Sequence, residues 1–224
     1  MFCERVKAAT ARLHDQAETR PFISSLMGGS LNVRAYARYI QALQPVYQVL
    51  EEVMRDLEDP VVGVFDHRGL DRSDRMIADL LSFGLSAGDR VSAATRNYRE
   101  AIAASAADPH RLLAHHYTRY LGDMAGGQAV SRLMQRHYNI DRVSLTFYDF
   151  SALGDTHHYR KQYKNLLDLL PWSPIEQTEY IAESQVAYQL NIELFDELGR
   201  VCGASPRTGL NGSDFFSSER AHSY

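Results

Sequence analysis

Residues 119–130 read RYLGDMAGGQAV, from Arg119 to Val130. The segments on either side keep helical spacing: Leu112, Leu113, His116 and Tyr120 before, and Val130, Leu133, Met134 and Tyr138 after, recur at intervals of three and four. Glycine in a helix interior costs about 1 kcal/mol relative to alanine. Gly122, Gly126 and Gly127 therefore need a reason to stand in one helix. Residues at i, i+3 and i+4 share a face, which sets Gly122, Ala125 and Gly126 in a stripe almost without side chains. Such a stripe suits either a tight helix crossing of the small-xxx-small kind or a flat ligand laid against the backbone. The adjacent pair Gly126-Gly127 loosens the helix and predicts a kink, which favours the ligand.

Two other uses of these glycines fail. A phosphate loop needs Lys-Ser/Thr after its last glycine and a strand before it, whereas Gly127 is followed by Gln128-Ala129 within a helical pattern. Gly126-Gly127-Gln128 also spells the tripeptide of peptide-release factors. Those proteins carry it on a loop and bind RNA, which a net charge of −4 argues against.

Outward from this stretch, nearly every segment is helical. Expected helices run from Val6 to Glu18, stopped by Arg20-Pro21, and from Val33 to Leu57, with a kink at Pro45. A short helix ends at Phe83, another spans Val91 to Ala106, and Asp108-Pro109 opens the long one. The last two are His158 to Leu170 and Pro174 to Leu198, the latter begun by Ser173-Pro174 with Glu176 in its first turn and ended at Gly199. No alternating strand pattern survives. The 224 residues, 45% hydrophobic, predict one all-α domain over residues 1–199 with about seven or eight helices. Residues 200–224, rich in Gly, Ser and charge, read as a flexible tail; its Phe215-Phe216 is too little for an anchor.

Cys3 and Cys202 form no CxxC or Cys/His pattern, so neither a disulfide framework nor a zinc site is expected. The absence of both an apolar run of about 18 residues and a signal-peptide core predicts a cytoplasmic protein without a membrane anchor. On the first helix, His14, Glu18 one turn later and Lys7 two turns earlier share a face. A carboxylate on one ring nitrogen holds an imidazole in one tautomer and makes it a better metal ligand, although a His/Glu pair at i, i+4 is also a common surface contact. Arg160, Lys161 and Lys164 could present cations to carboxylates or form an ordinary solvated face.

The segments LHDQAE around His14, HHYTRYLGDMAGGQAVSRLMQRHY from His115 to Tyr138, and NIELFDELG from Asn191 to Gly199 together resemble heme oxygenase of the soluble bacterial type, akin to the corynebacterial enzymes. The resemblance spans about Lys7 to Gly199. It implies heme sandwiched between a proximal N-terminal helix and a kinked glycine-rich distal helix. It further implies that heme is both cofactor and substrate, cleaved with O2 at a meso carbon, the α position favoured, to biliverdin, CO and ferrous iron. Electrons come from an external donor such as a ferredoxin, a flavodoxin or a reductase. Residue by residue, His14 matches the axial ligand of the iron and Glu18 its hydrogen-bonding partner. Gly122 and Gly126 match the distal glycines against the heme face. Asp123 matches the aspartate that organises water for proton delivery, with Arg119 and Tyr47 in the same network. Lys7, Tyr117, Arg160 and Lys164 match positions that hold the propionates, and Phe147, Tyr148, Tyr188 and Phe195 are expected to line the pocket. Asp123 is expected to be ionised and paired with Arg119.

The chain departs from the family pattern at Ala125, where serine is common, and in the exchange of cation types at Arg160 and Lys164, which alters how propionates are gripped. A heme carrier or sensor would use His14 and a cleft without needing the glycine and aspartate pattern. A di-iron bundle would need paired Glu-x-x-His motifs on core helices, and the one match, Glu219 to His222, falls in the tail.

Overall fold

The computed structural model describes residues 1–66, 68–88 and 91–204. Among these, the chain forms nine α-helices and four short 3-10 turns, without strands. The helices are α1 (Phe2–Glu18), α2 (Pro21–Met27), α3 (Val33–Asp56), α4 (Pro60–Gly63), α5 (Ser73–Ser82), α6 (Ala93–Ala104), α7 (Pro109–Tyr138), α8 (Thr156–Leu169) and α9 (Pro174–Cys202). No described helix is long and apolar enough to cross a membrane.

The helix boundaries follow local chemistry. Asn32 accepts from the Ala35 amide to start α3, Asp155 accepts from His157 and His158 to start α8, and Ser173 with Glu176 forms a complete capping box on α9. Pro21 ends α1 as expected but also begins α2 at its first turn, a position where a missing N–H costs nothing. Pro45 sits inside α3 without ending it. The expected stop at Gly199 is not used: α9 continues to Cys202, and Gly203, in the left-handed region at φ 67°, caps it. Gly199 instead lies against Phe22, whose Cβ is 3.8 Å from where a Gly199 Cβ would stand. Residues 205–224, including Phe215-Phe216 and the Glu219–His222 match, lie outside the described residues.

Packing centres on α9, which lies against α1, α2, α6 and α7, while α3 packs on α5 and α6. The apolar stripe of α3 (Tyr36, Ile40, Leu43, Val46, Tyr47, Leu50) is fully buried. The polar groups within the core are tied down. Arg72, with no exposed surface, donates to the carbonyls of Leu70, Gly69, Phe147 and Asp149 and lies 4.1 Å from the centroid of the Phe150 ring. Glu51 of α3 accepts from the amides of Arg72 and Ser73 and so caps α5 from a neighbouring helix; burial raises its pKa to about 6.

His116 of α7 is also buried, paired with Tyr163 Oη at 2.9 Å, and burial lowers its pKa from 6.5 to about 3. The unfolded chain would take up this proton near 6.5 and the folded chain near 3. Stability from the neutral ring is therefore complete above about pH 6.5 and is lost as pH falls toward 3. The expected cost is about 2 kcal/mol at pH 5 relative to pH 7.5. Urea midpoints at the two pH values should differ less in His116→Gln than in the parent, and equal differences would remove His116 as the source.

Candidate functional site

A cleft opens between α1 and α2 on one side and α7 on the other, closed at the back by α3 and α9. Its enclosed volume is about 160 Å³. His14, Ala17 and Glu18 of α1 face it, with Ile23, Leu26 and Met27 of α2 and Tyr39 of α3. From α7 come Thr118, Gly122, Gly126 and Val130, spaced by four, with Arg119, Asp123 and Gly127 beside them. Tyr188, Asn191 and Phe195 complete it from α9 at spacings of three and four, with Tyr148 from the turn region before α8.

The glycines are thereby explained separately. A Cβ on Gly122 would meet nothing within 4 Å, so the surface there is free for a ligand to approach the backbone. Gly127 serves a neighbour: a Cβ there would lie 2.8 Å from Tyr148 Cδ1, a contact no ordinary side chain tolerates. The helix runs unbroken through this stretch. Ala125 is exposed and does not line the cleft; the stripe passes through Thr118, Gly122, Gly126 and Val130 instead. A hydroxyl missing at 125 is thus not missing from the cleft wall.

On the opposite wall, His14 has a side chain 46% exposed, with Nε2 3.5 Å from Glu18 Oε1 and Nδ1 3.8 Å from Asp15 Oδ1. Its ring meets Tyr188 edge to face at 5.9 Å. The imidazole has a carboxylate within 4 Å of each nitrogen and borders the cleft.

Arg119 is the hub of the α7 wall. Its guanidinium donates to Tyr47 Oη from α3 (3.3 Å), to Asn191 Oδ1 from α9, and to Asp123 one turn on, at 3.2 Å and 3.4 Å. Asn191 in turn donates to Tyr98 Oη at 3.3 Å and to the Ala187 carbonyl. Tyr47 does not line the cleft; it acts on it through Arg119. The expected Arg119–Asp123 pair is present. Burial pushes the Asp123 carboxyl well above the ordinary carboxylate range, against the pull of the guanidinium.

Lys7, Tyr117, Arg160 and Lys164 do not line the cleft. They gather where α1, α7 and α8 meet: burial lowers the Lys164 pKa, with Arg160 and Lys7 pushing the same way, and Arg160 also acts on Tyr117. Among the expected lining residues, Tyr148, Tyr188 and Phe195 reach the cleft. Phe147 does not; it is buried against Tyr47 at 5.5 Å and Tyr148 at 4.6 Å. The sequence reading assigned no role to Tyr39, Thr118, Asn191 or Tyr98. Asn191 had a legible signal, since it shares a helical face with Tyr188 and Phe195. Tyr98 had none, because its partner is 93 residues away.

A second cavity, about 360 Å³, lies beside α3 among Gln44, Glu51, Glu52, Asp71 and Asp74. Among the described residues no histidine and no aromatic ring lines it, so these offer neither an iron ligand nor walls for a flat apolar molecule.

Residues 1–197 match the family model described as heme oxygenase. A heme oxygenase from Guillardia theta is 33% identical over 204 residues, covering 87% of this chain and 84% of its own, and one from Rhodella violacea is 31% identical over 87% and 85%. The structure of heme oxygenase from Leptospira interrogans superposes with a TM-score of 0.82 at 31% identity, covering 88% of this chain and 98% of that one. Heme oxygenase-1 from the cyanobacterium Synechocystis, solved in complex with heme, gives 0.83 at 26% identity over 90% and 96%. With a helical fold, a cleft between first and seventh helices, and relatives that match along most of its length, the chain belongs to the heme oxygenase family of heme-degrading oxidoreductases.

Proposed function

We propose that this chain binds heme in the cleft between α1 and α7 and opens it at a single meso carbon, the α position, to biliverdin, CO and ferrous iron. The observation that carries the reading is the pairing of two walls: an imidazole on α1, and opposite it a bare backbone at Gly122 beside the Arg119–Asp123 pair. The residues fit the group. Open space above Gly122 admits a flat face, apolar side chains from α2 and α9 would cover it, and His14 supplies a nitrogen donor.

When bound, heme supplies both the iron that activates O2 and the ring that is oxidised. The protein's part is positioning, exclusion of water and proton supply. His14 would hold the iron, with Glu18 orienting the imidazole. Gly122 and Gly126 keep side chains off the distal face, so that oxygen is confined near a ring edge. Asp123, driven toward its protonated form by burial, stores a proton beside the cleft and passes it through water. Arg119, fixed from three helices, holds that carboxyl in place. Phe195 and Tyr39, in contact at 6.0 Å, exclude bulk solvent from the back. The cations Lys7, Arg160 and Lys164, with Tyr117, which gather where α1, α7 and α8 meet, would take the propionate carboxylates.

Members of this family need a reductase as electron donor. For this chain we assign docking of an acidic ferredoxin, flavodoxin or reductase to the basic face of α8 that carries Arg160, Lys161 and Lys164, and place the protein in the cytoplasm. The test is direct. Purified protein should take up hemin one-to-one, and reductant with O2 should convert the complex to biliverdin with CO release, the isomer read by HPLC. A heme spectrum that persists under reductant and air would leave a carrier or sensor instead.

A further inference from the structure

Behind the α7 wall of the cleft runs an unbroken line of aromatic rings. It begins one residue back from the cleft at Tyr47, whose hydroxyl accepts from Arg119 Nε at 3.3 Å and whose ring centroid lies 5.4 Å from the guanidinium carbon. Tyr47 meets Tyr120 of α7 at a centroid distance of 5.5 Å, and Tyr120 meets His116, one turn earlier, at 4.5 Å. His116 lies nearly parallel to Tyr163 of α8 at 5.7 Å, with 10° between the planes. From Tyr163 the contacts pass to Tyr117 and from there to Tyr180, at 6.2 Å each, and reach Trp172 at 5.5 Å. Trp172, the one tryptophan of the chain, is partly exposed between α8 and α9.

Packing alone does not call for these hydroxyls. Tyr47, Tyr120, Tyr163 and Tyr180 are at most 3% exposed, and phenylalanine would fill the same space without the cost of burying a polar group. Two of the phenols are set on bases. Tyr120 donates to Glu51 at 3.4 Å, and Tyr163 pairs with His116 Nδ1 at 2.9 Å. Burial holds the His116 ring neutral, so Nδ1 keeps a lone pair for the phenol. Tyrosine and tryptophan are among the side chains most easily oxidised by one electron. A phenol loses its proton with that electron, and a hydrogen-bonded base that takes the proton makes the loss easier.

We propose that the line from Tyr47 to Trp172 is an electron relay that carries oxidising equivalents from the cleft to the surface when hydrogen peroxide reacts at the heme without attack on the ring. Peroxide takes up two electrons and two protons on its way to two waters, and the relay delivers the electrons one at a time. Tyr120 yields its electron as its proton passes to Glu51, and Tyr163 does so as its proton passes to His116. Each proton returns when the next residue outward supplies an electron. The last vacancy, on Trp172, is filled by a soluble one-electron reductant such as a thiol, which is itself oxidised. Residues lining the cleft are thereby spared. The inference rests on the heme binding proposed above.

Hydrogen peroxide would be added to hemin complexes of the parent, of Tyr163→Phe and of the double variant Tyr120→Phe/Tyr163→Phe, in which the rings stay and the phenols go. In the parent, freeze-quench electron paramagnetic resonance should show a tyrosyl radical, and peptide mass spectrometry should find Trp172 oxidised well above the heme-free control. In the double variant Trp172 oxidation should fall to that control, with oxidation moved to the cleft tyrosines Tyr39, Tyr148 and Tyr188. Tyr163→Phe alone should lower it partway, and it carries the test if circular dichroism shows the double variant unfolded. A second arm needs no heme: photo-oxidation of Trp172 in the apoprotein should be followed by a tyrosyl radical that forms several-fold more slowly in Tyr180→Phe. Trp172 oxidation that is the same in parent and variants overturns the relay, as does a tryptophan radical that decays at one rate in parent and Tyr180→Phe. Failure to take up hemin would strike the heme-binding function instead, and the apoprotein arm would still judge the relay.

Discussion

His14→Ala is expected to yield a folded helical protein that binds hemin more than about 100-fold more weakly and forms no biliverdin, because the nitrogen ligand contributes more than the outer groups that themselves set affinity by about 10- to 100-fold. The fold should survive, since the side chain is half exposed and α1 is anchored elsewhere. Phe2 and Val6 are buried, and the Cys3 amide donates to Asp168 of α8 at 2.8 Å. Added imidazole should restore the parent's ferric spectrum by entering the space left behind. Hemin titration followed by visible absorption, with circular dichroism as the control for folding, measures both parts. A ferric spectrum and affinity equal to the parent's would remove His14 from the iron.

Asp123→Ala is expected to cut biliverdin formation by about 10²- to 10⁴-fold, the usual contribution of a positioned proton-transfer group, while leaving hemin affinity near the parent's. The substitution also removes a hydrogen-bond acceptor from the buried Arg119, which costs about 1–3 kcal/mol. Asp123→Asn separates the two effects. It keeps the volume and a hydrogen-bond acceptor for the guanidinium, so stability should recover while turnover stays low. Single-turnover assays on the hemin complexes, together with melting temperatures of the apoproteins, decide it. Parent-like turnover in Asp123→Asn would end the proton-supply role.

The same carboxyl shows where sequence reasoning reaches its limit. The i, i+4 spacing of Arg119 and Asp123 was enough to expect a pair, and the pair forms. Spacing carries no information about burial, which pushes the carboxyl's pKa up. That burial comes from helix packing around α7, which a local spacing does not describe. Arg119 makes the point again: one of its partners is a turn away on the same helix, but Tyr47 and Asn191 are each 72 residues distant. Phe147 and Tyr148 are adjacent in sequence and aromatic alike, yet one faces Tyr47 in the core and the other faces the cleft. That division follows from the turns held by Arg72 and Asp79, which no local pattern announces.

The glycines resolve in the same way. Periodicity, caps and prolines act within a few residues, which is why the helical architecture, the start of α7 at Asp108-Pro109 and the capping box of α9 were all legible from sequence. The motif around Gly122 also sufficed to indicate the family. What each glycine is for depended on atoms brought in from elsewhere in the chain. Gly122 faces open space in a cleft whose other wall carries His14, 108 residues earlier, and Gly127 makes room for Tyr148, 21 residues on. Ala125, between them in sequence, does not line the cleft, because a helix turns 100° per residue and only packing decides which side is inside.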